Sequence, residues 1–411
     1  MIGQIRALSL LSGLGILLLA GCSGKGVPIN PPTPLSDVDP SLMVEHRWVR
    51  QLGKGSDQYH LKLRPLVDGE RVFQASHRGE VAAMDAASGS QLWRVSVDSR
   101  INTGPADAGD WLLLGAMSEV IALHKDDGAV VWRSPVNTEV LSMPAWHREV
   151  VVIHAGDGSV VGINSQTGEP LWQHRESVPS LSLRGTGNPV IVGDEGVLVG
   201  TASGKLIALS LHEGELLWQT EIASPRGRSE LERIADVDAD LAGGDGVVYA
   251  SSYQGVLAEV NIAGGQLGWN REIASSTGIT IDERQLYVTD RDGNVWALSR
   301  RDGRTMWRQQ ALAYRGLSAP VQQGDYLIVG DYEGYLHWLH KEDGRLVARA
   351  RVQDWREYWP VGDLTPLNEG VAVERAILMP PMVRGNWVYA SDKRGVLDVF
   401  EVSLVEDKDA K

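Results

Sequence analysis

One fifteen-residue frame recurs along this chain and fixes what it can fold into. The segments are "GEVAAMDAASGSQLW" (79–93), "SEVIALHKDDGAVVW" (118–132), "GSVVGINSQTGEPLW" (158–172), "GKLIALSLHEGELLW" (204–218), "GVLAEVNIAGGQLGW" (255–269), "GNVWALSRRDGRTMW" (293–307) and "GYLHWLHKEDGRLVA" (334–348). A glycine stands four residues before the end of every one: Gly89, Gly128, Gly168, Gly214, Gly265, Gly303 and Gly344. Successive frames start roughly 40 residues apart, the period of propeller blades.

Each frame reads as strand, turn, strand. The first strand ("VIAL", "LIAL", "VWAL") is apolar on both faces, as a strand enclosed between two neighbouring layers must be. The residue-Gly pair before the second strand is hairpin chemistry, because Gly accepts the positive φ of a tight turn. Two further short strands lie upstream in most frames, as in "PVIV" and "GVLVGTA" (189–202) or "DYLIVGD" (325–331). Four strands per repeat make one blade.

An eighth frame opens with "RGVLDVFEV" (394–402), but the chain ends before its Trp strand. The missing strand is at the other terminus, where "HRWVRQL" (46–52) places Trp48 in the slot. The expected fold is therefore all-β: an eight-bladed β-propeller over residues 46–404, four antiparallel strands per blade, closed by the N-terminal strand joining the last blade. Closure removes long exposed sheet edges. The chain has 14 Trp and only 2 Phe, so one residue type fills one recurring slot. Trp93, Trp132, Trp172, Trp218, Trp269 and Trp307 are expected to pack between blades rather than bind a ligand. Blade seven, with Ala348 in the slot, is the degenerate one.

Glycine-to-Trp spacing never varies, so insertions fall between a slot and the next frame. Those segments run 24 to 27 residues, except for 32 after Trp172, 37 after Trp218 and 47 after Ala348. A propeller chain crosses there from an outermost strand to the innermost strand of the next blade, always on the same side of the ring. The three insertions are thus expected on one face, two of them on adjacent crossings. Loops on a rigid scaffold commonly carry function. The first carries "SLSLRGTGNP" (180–189), the second "RSELERIADVDADLAGG" (228–244), and the third "VQDWREYWPVGDLTPLNEG" (352–370), to which no role is assigned. Taken alone, Leu181 and Leu183 also fit the inward residues of a strand start, and Asp236 and Asp238 a solvated acidic loop.

The N-terminus is a different kind of sequence. Ala7 to Ala20 is apolar apart from Ser9 and Ser12, with Arg6 upstream. About 14 residues suit a signal-peptide core and fall short of a ~20-residue span. Leu19-Ala20-Gly21-Cys22 resembles the bacterial lipobox, and Cys22 is the only cysteine in 411 residues. Residues 1–21 are read as a signal peptide and Cys22 as the lipidated first residue of the mature chain. By analogy with Gram-negative lipoproteins, Ser23 in place of Asp implies sorting to the outer membrane, on its periplasmic face. Residues 22–45, with five prolines, are read as a tether, which as a coil spans on the order of 25 Å. Residues 405–411 are read as a frayed tail.

A formal net charge of −14 argues against nucleic acid as a partner. No HExxH, P-loop, Rossmann fingerprint or GxSxG is present. His337 and His340, three apart on a strand, face opposite sides and make poor co-ligands. No catalytic, cofactor or metal site is expected.

The lipobox, the Pro-rich tether, the blade repeat, "LSLRG" after blade three and "ADVD" after blade four together resemble the BamB family, lipoproteins of the outer-membrane β-barrel assembly (BAM) machinery. The blade repeat is shared with quinoprotein dehydrogenases; the two loop motifs are far more specific. The resemblance covers essentially the whole chain. It implies a non-enzymatic scaffold that binds BamA through its periplasmic POTRA domains, assists insertion of β-barrel proteins and has unfolded outer-membrane proteins as further partners. It also implies that Leu181, Leu183 and Arg184, with Asp236 and Asp238, form the BamA-binding surface. Arg226, Arg228 and Arg233, just before "ADVD", are available to pair with those aspartates internally. Two other classes remain open at this point: a quinoprotein-like oxidoreductase, disfavoured by the lack of a second cysteine, and a periplasmic propeller binding a sugar or peptide in its central channel.

Overall fold

The slot tryptophans and the repeat glycines interlock, and that contact builds the ring. In the computed structural model each slot Trp reaches the next blade, stacks on its hairpin glycine and donates its indole N–H to a carbonyl of the same turn. Trp93 Nε1 donates to Lys125 O at 2.9 Å, Trp132 to Ser165 O at 2.8 Å and Trp172 to Leu211 O at 2.8 Å. Trp218 donates to Ile262 O at 2.9 Å, Trp269 to Arg300 O at 2.9 Å and Trp307 to Lys341 O at 2.7 Å. The glycine is needed twice over. Gly168 has φ +75°, and a β-carbon there would lie 2.7 Å from the Trp132 ring. A buried aromatic with its polar edge satisfied is the favourable way to bury so large a side chain.

The structure describes residues 30–57, 59–183, 185–224, 228, 234–253, 255–353 and 375–405. The expected signal peptide, Cys22, the first part of the expected tether, Arg184, Arg226, Arg233, most of the third insertion and the last six residues lie outside them.

Blades one to seven span residues 66–96, 101–135, 145–175, 190–221, 242–272, 279–309 and 321–351. Each runs from an innermost to an outermost antiparallel strand. Blade eight joins Met382–Arg384, Trp387–Ser391 and Val396–Leu404 to the N-terminal strand Leu42–Gln51. Leu42 lies opposite Leu404 and Trp48 opposite Val399. Trp48 then completes the pattern, donating to Ala86 O at 3.1 Å and stacking on Gly89. Third strands are buried on both faces, whereas outermost strands alternate in exposure. The apolar core is accordingly divided into eight clusters, each straddling one pair of blades.

Blade seven solves its interface by inversion. In blades one to four and six a small residue faces the slot Trp, as Ala83 faces Trp93, Ala122 faces Trp132 and Ala297 faces Trp307. In blade seven Trp338 comes from the third strand and faces Ala348. Its indole N–H donates to Gln323 Oε1 at 3.0 Å, and the Gln323 amide donates onward to Gly385 O in blade eight.

The expected tether is docked from Thr33 onward. Thr33 N–H donates to Ala313 O and Ser41 N–H to Val347 O, and Leu35 packs into the cluster between blades six and seven. These bonds hold the entering chain along the ring, and the closing strand begins at Leu42, four residues before the stretch expected from sequence.

Between the closing strand and blade one, the chain turns into the ring. Lys62–Leu63 pairs in parallel with Ile101–Ala108, the innermost strand of blade two, on the edge that faces the ring axis. The alternative reading of a ligand in the central channel therefore meets a segment of the chain itself.

Candidate docking site on the crossing face

The crossings after blades three and four lie against each other. The side chains of "ADVD" divide between the core and the cleft beside it. Val237 is fully buried in the cluster between blades four and five, while Asp236 and Asp238 point the other way. Backbone bonds fix the segment: Val237 N–H donates to Thr201 O at 3.0 Å and Tyr253 N–H to Asp236 O at 2.9 Å. Gly200 permits the approach, since a β-carbon there would lie 2.1 Å from the Val237 carbonyl oxygen.

"LSLRG" is stitched onto this segment. The Leu183 N–H donates to Asp236 Oδ2 at 2.7 Å, across 53 positions of sequence. Leu181 is 43% exposed and Leu183 is half-buried. Asp238 is half-buried. Asp236, expected on the surface, is only 1% exposed. Val237 anchors its neighbours inward, so Asp236 holds the backbone that displays the leucines rather than facing outward itself. Arg184 lies outside the described residues.

Below Leu183 is a cleft of 280 Å³, bordered by the crossings after blades two, three and four. Three of its lining atoms are buried without a hydrogen-bond partner: Asp236 Oδ1, Asp238 Oδ1 and His154 Nδ1. Burial pushes the Asp236 carboxyl up to about 6, against the stabilising Leu183 amide. Burial and the neighbouring Asp236 charge push Asp238 up to about 7, with Lys62 pulling the other way. Burial pushes His154 down to about 4, so the ring is neutral at pH 7.

Lys62, on the segment inside the ring, ties both crossings together. Its ammonium donates to Thr186 O at 2.9 Å and Asn188 Oδ1 at 3.2 Å on one crossing, and to Asp240 Oδ1 at 2.9 Å on the other. Asn188 Oδ1 also accepts from Met143 N–H at 2.8 Å, adding the crossing after blade two. Neither Lys62 nor His154 was legible from spacing. Lys62 is 124 positions from Thr186, and a lone His on an apolar strand carries no motif.

The two histidines on Tyr335–His340 behave as their spacing implies. His337 is buried against Asp331 Oδ2 at 3.0 Å, while His340 sits near Asp343. No group of three or more His, Cys, Asp or Glu side chains among the described residues is arranged to hold a metal ion.

Comparison with known proteins agrees with this architecture. The family described as outer membrane protein assembly factor BamB matches residues 46–114 and 77–309. The chain is similar to outer membrane protein assembly factor BamB of Alkalilimnicola ehrlichii, 42% identical over 338 residues, which are 82% of this chain and 87% of that one. The crystal structure of BamB from Moraxella catarrhalis superposes with a TM-score of 0.75 at 26% identity, covering 87% of this chain and all of that one. A quinohemoprotein alcohol dehydrogenase from Pseudomonas putida, covering 88% of this chain and 76% of its own, reaches a TM-score of 0.67 at 11% identity. That last likeness is one of fold alone.

Proposed function

The chain belongs to the BamB family of outer membrane protein assembly factors, and from that premise we propose that its crossing face docks a periplasmic POTRA domain of BamA within the BAM complex. The family role is assembly and not catalysis. Leu181 and Leu183 supply the apolar contact, Arg184 a bidentate anchor, and Asp236 and Asp238 the acidic floor that orients both. The lipidated Cys22 holds the chain at the outer membrane, and the docked propeller widens the platform that incoming barrel proteins meet.

The observation that supports this reading is the 2.7 Å bond from Leu183 N–H to Asp236 Oδ2, which makes one patch of the two motif-bearing crossings. The test is affinity purification of the full-length chain from solubilised envelope. BamA should co-elute with the wild-type chain and fall at least tenfold with Leu181→Ala plus Leu183→Ala, or with Arg184→Ala. Undiminished recovery of BamA with both variants sinks the assignment.

A further inference from the structure

We propose that the cleft below Leu183 receives the guanidinium of an arginine side chain presented by the docking partner. The inference rests on the docking reading above and names the chemistry of one contact within it.

The cleft is lined by acceptors that nothing in the described chain serves. Asp236 spends Oδ2 on the Leu183 amide and leaves Oδ1 buried and unpartnered. Asp238 Oδ1 is in the same position. His154 is 3% exposed, and its Nδ1 is left without a partner. In a neutral imidazole that donates through its other nitrogen, Nδ1 is a lone-pair acceptor. Among the described residues the cation whose charge acts on Asp238 is committed elsewhere, because Lys62 bonds Thr186, Asn188 and Asp240.

Buried acceptors call for donors. The described His, Cys, Asp and Glu side chains form no metal-binding cluster, so these atoms do not converge on a single ion. A guanidinium is planar, always charged and carries five N–H groups spread over its fork, so it can serve separated acceptors at once. An ammonium directs its three donors from one point. At 280 Å³ the cleft has room for far more than one water. Water can serve the acceptors in the free chain, and an arriving guanidinium replaces it with charge-assisted bonds.

The test uses the full-length chain in detergent and two small probes, N-acetyl-arginine amide and its uncharged isostere N-acetyl-citrulline amide. Saturation-transfer NMR reads probe binding directly, and competition against a purified POTRA fragment reads docking. Transfer is expected to the arginine probe alone, to drop at least fivefold in Asp238→Asn, and to drop also in His154→Gln, which serves if the first variant does not fold. The arginine probe should displace the POTRA fragment and the citrulline probe should not. Equal transfer to both probes, or transfer unchanged by the variants, overturns the inference and leaves docking intact. Arginine binding that emerges only after Arg226, Arg228 and Arg233 are changed to Gln also overturns it, since the chain's own loop is then the occupant. If the POTRA fragment does not dock at all, the docking reading fails, and the probe titration alone decides whether the cleft takes a guanidinium.

Discussion

Trp338 and Ala348 face each other across blade seven with the sizes of the usual pair exchanged. In most other blades the outermost strand carries the Trp and the third strand carries a small residue, as with Ala208 and Trp218. The pair keeps its combined volume, so the interface with blade eight stays filled although the slot Trp is lost. Trp338→Ala should cost about 3–5 kcal/mol as a large-to-small core change. Ala348→Trp alone should cost about 1–3 kcal/mol through overpacking. The double exchange restores the arrangement of the other blades and should lie closer to wild type than Trp338→Ala does. Calorimetric midpoints of the three variants decide the point: a double variant as unstable as the sum of the singles refutes it.

The repeat glycines allow backbone freedom and packing to be separated. Gly168 and Gly193 both have positive φ, +75° and +59°, but only Gly168 has an indole against it; nothing lies within 4 Å of a β-carbon at Gly193. Gly193→Ala should therefore cost only the left-handed backbone term, about 1–2 kcal/mol. Gly168→Ala adds a clash with Trp132 and should cost clearly more, by about another 1–3 kcal/mol. Equal midpoints for the two would mean that the Trp contact is incidental.

Most of the fold was written in the sequence because it is periodic. The glycine stands four residues before the slot in every frame from Gly89 to Gly344, since every blade meets its neighbour in the same way. Insertions in the crossings likewise pointed to the candidate site, because frame lengths could be compared. What the sequence concealed is whatever depends on the ring being closed. Lys62 reaches Asp240 only after four blades have come round, and Trp338 replaces a slot residue from ten positions upstream. Asp236 looked like a loop carboxylate, since nothing in "ADVD" reveals that Val237 is pulled into the core.

The paired carboxylates give stability a definite pH dependence. Both folded values, about 6 for Asp236 and about 7 for Asp238, lie above the ordinary value of 3.8. Stability from the protonated forms is fully present below that ordinary value and is lost as pH rises through the folded values. Asp238→Asn mimics the protonated side chain and does not titrate. Its stabilising effect relative to wild type should therefore grow from about pH 4 to about pH 7 and level off above. Melting curves at pH 5 and pH 8 check this, and a larger gain at pH 5 would contradict the sign.

Lys62 should act on docking without touching the partner. Lys62→Met removes bonds to Thr186, Asn188 and Asp240. Loss of one member of a partly buried ion pair costs about 3 kcal/mol. Removing its positive charge also takes away the influence that holds Asp238 down. Docking of the POTRA fragment should weaken, and the pH at which docking declines should move upward. A variant with lower stability but an unshifted pH profile would reduce Lys62 to a structural tie.

The leucines and Asp236 should separate binding from stability. Leu181 is 43% exposed, so docking buries roughly half of its apolar surface, worth about 1 kcal/mol. Leu181→Ala with Leu183→Ala should therefore weaken POTRA docking by tenfold or more while the melting midpoint moves little. Asp236→Ala differs in kind. It leaves the Leu183 amide without its acceptor in a nearly closed site, an unsatisfied donor costing about 1–3 kcal/mol. It should lower the midpoint and weaken docking together, because the backbone presenting both leucines loses its fastening. Asp236→Asn keeps an acceptor for that amide and should recover most of the stability. Measured side by side by calorimetry and by POTRA binding, the three variants assign each residue its part. If Asp236→Ala left the midpoint unmoved, the carboxylate would be a surface contact after all and the fastening role would fall.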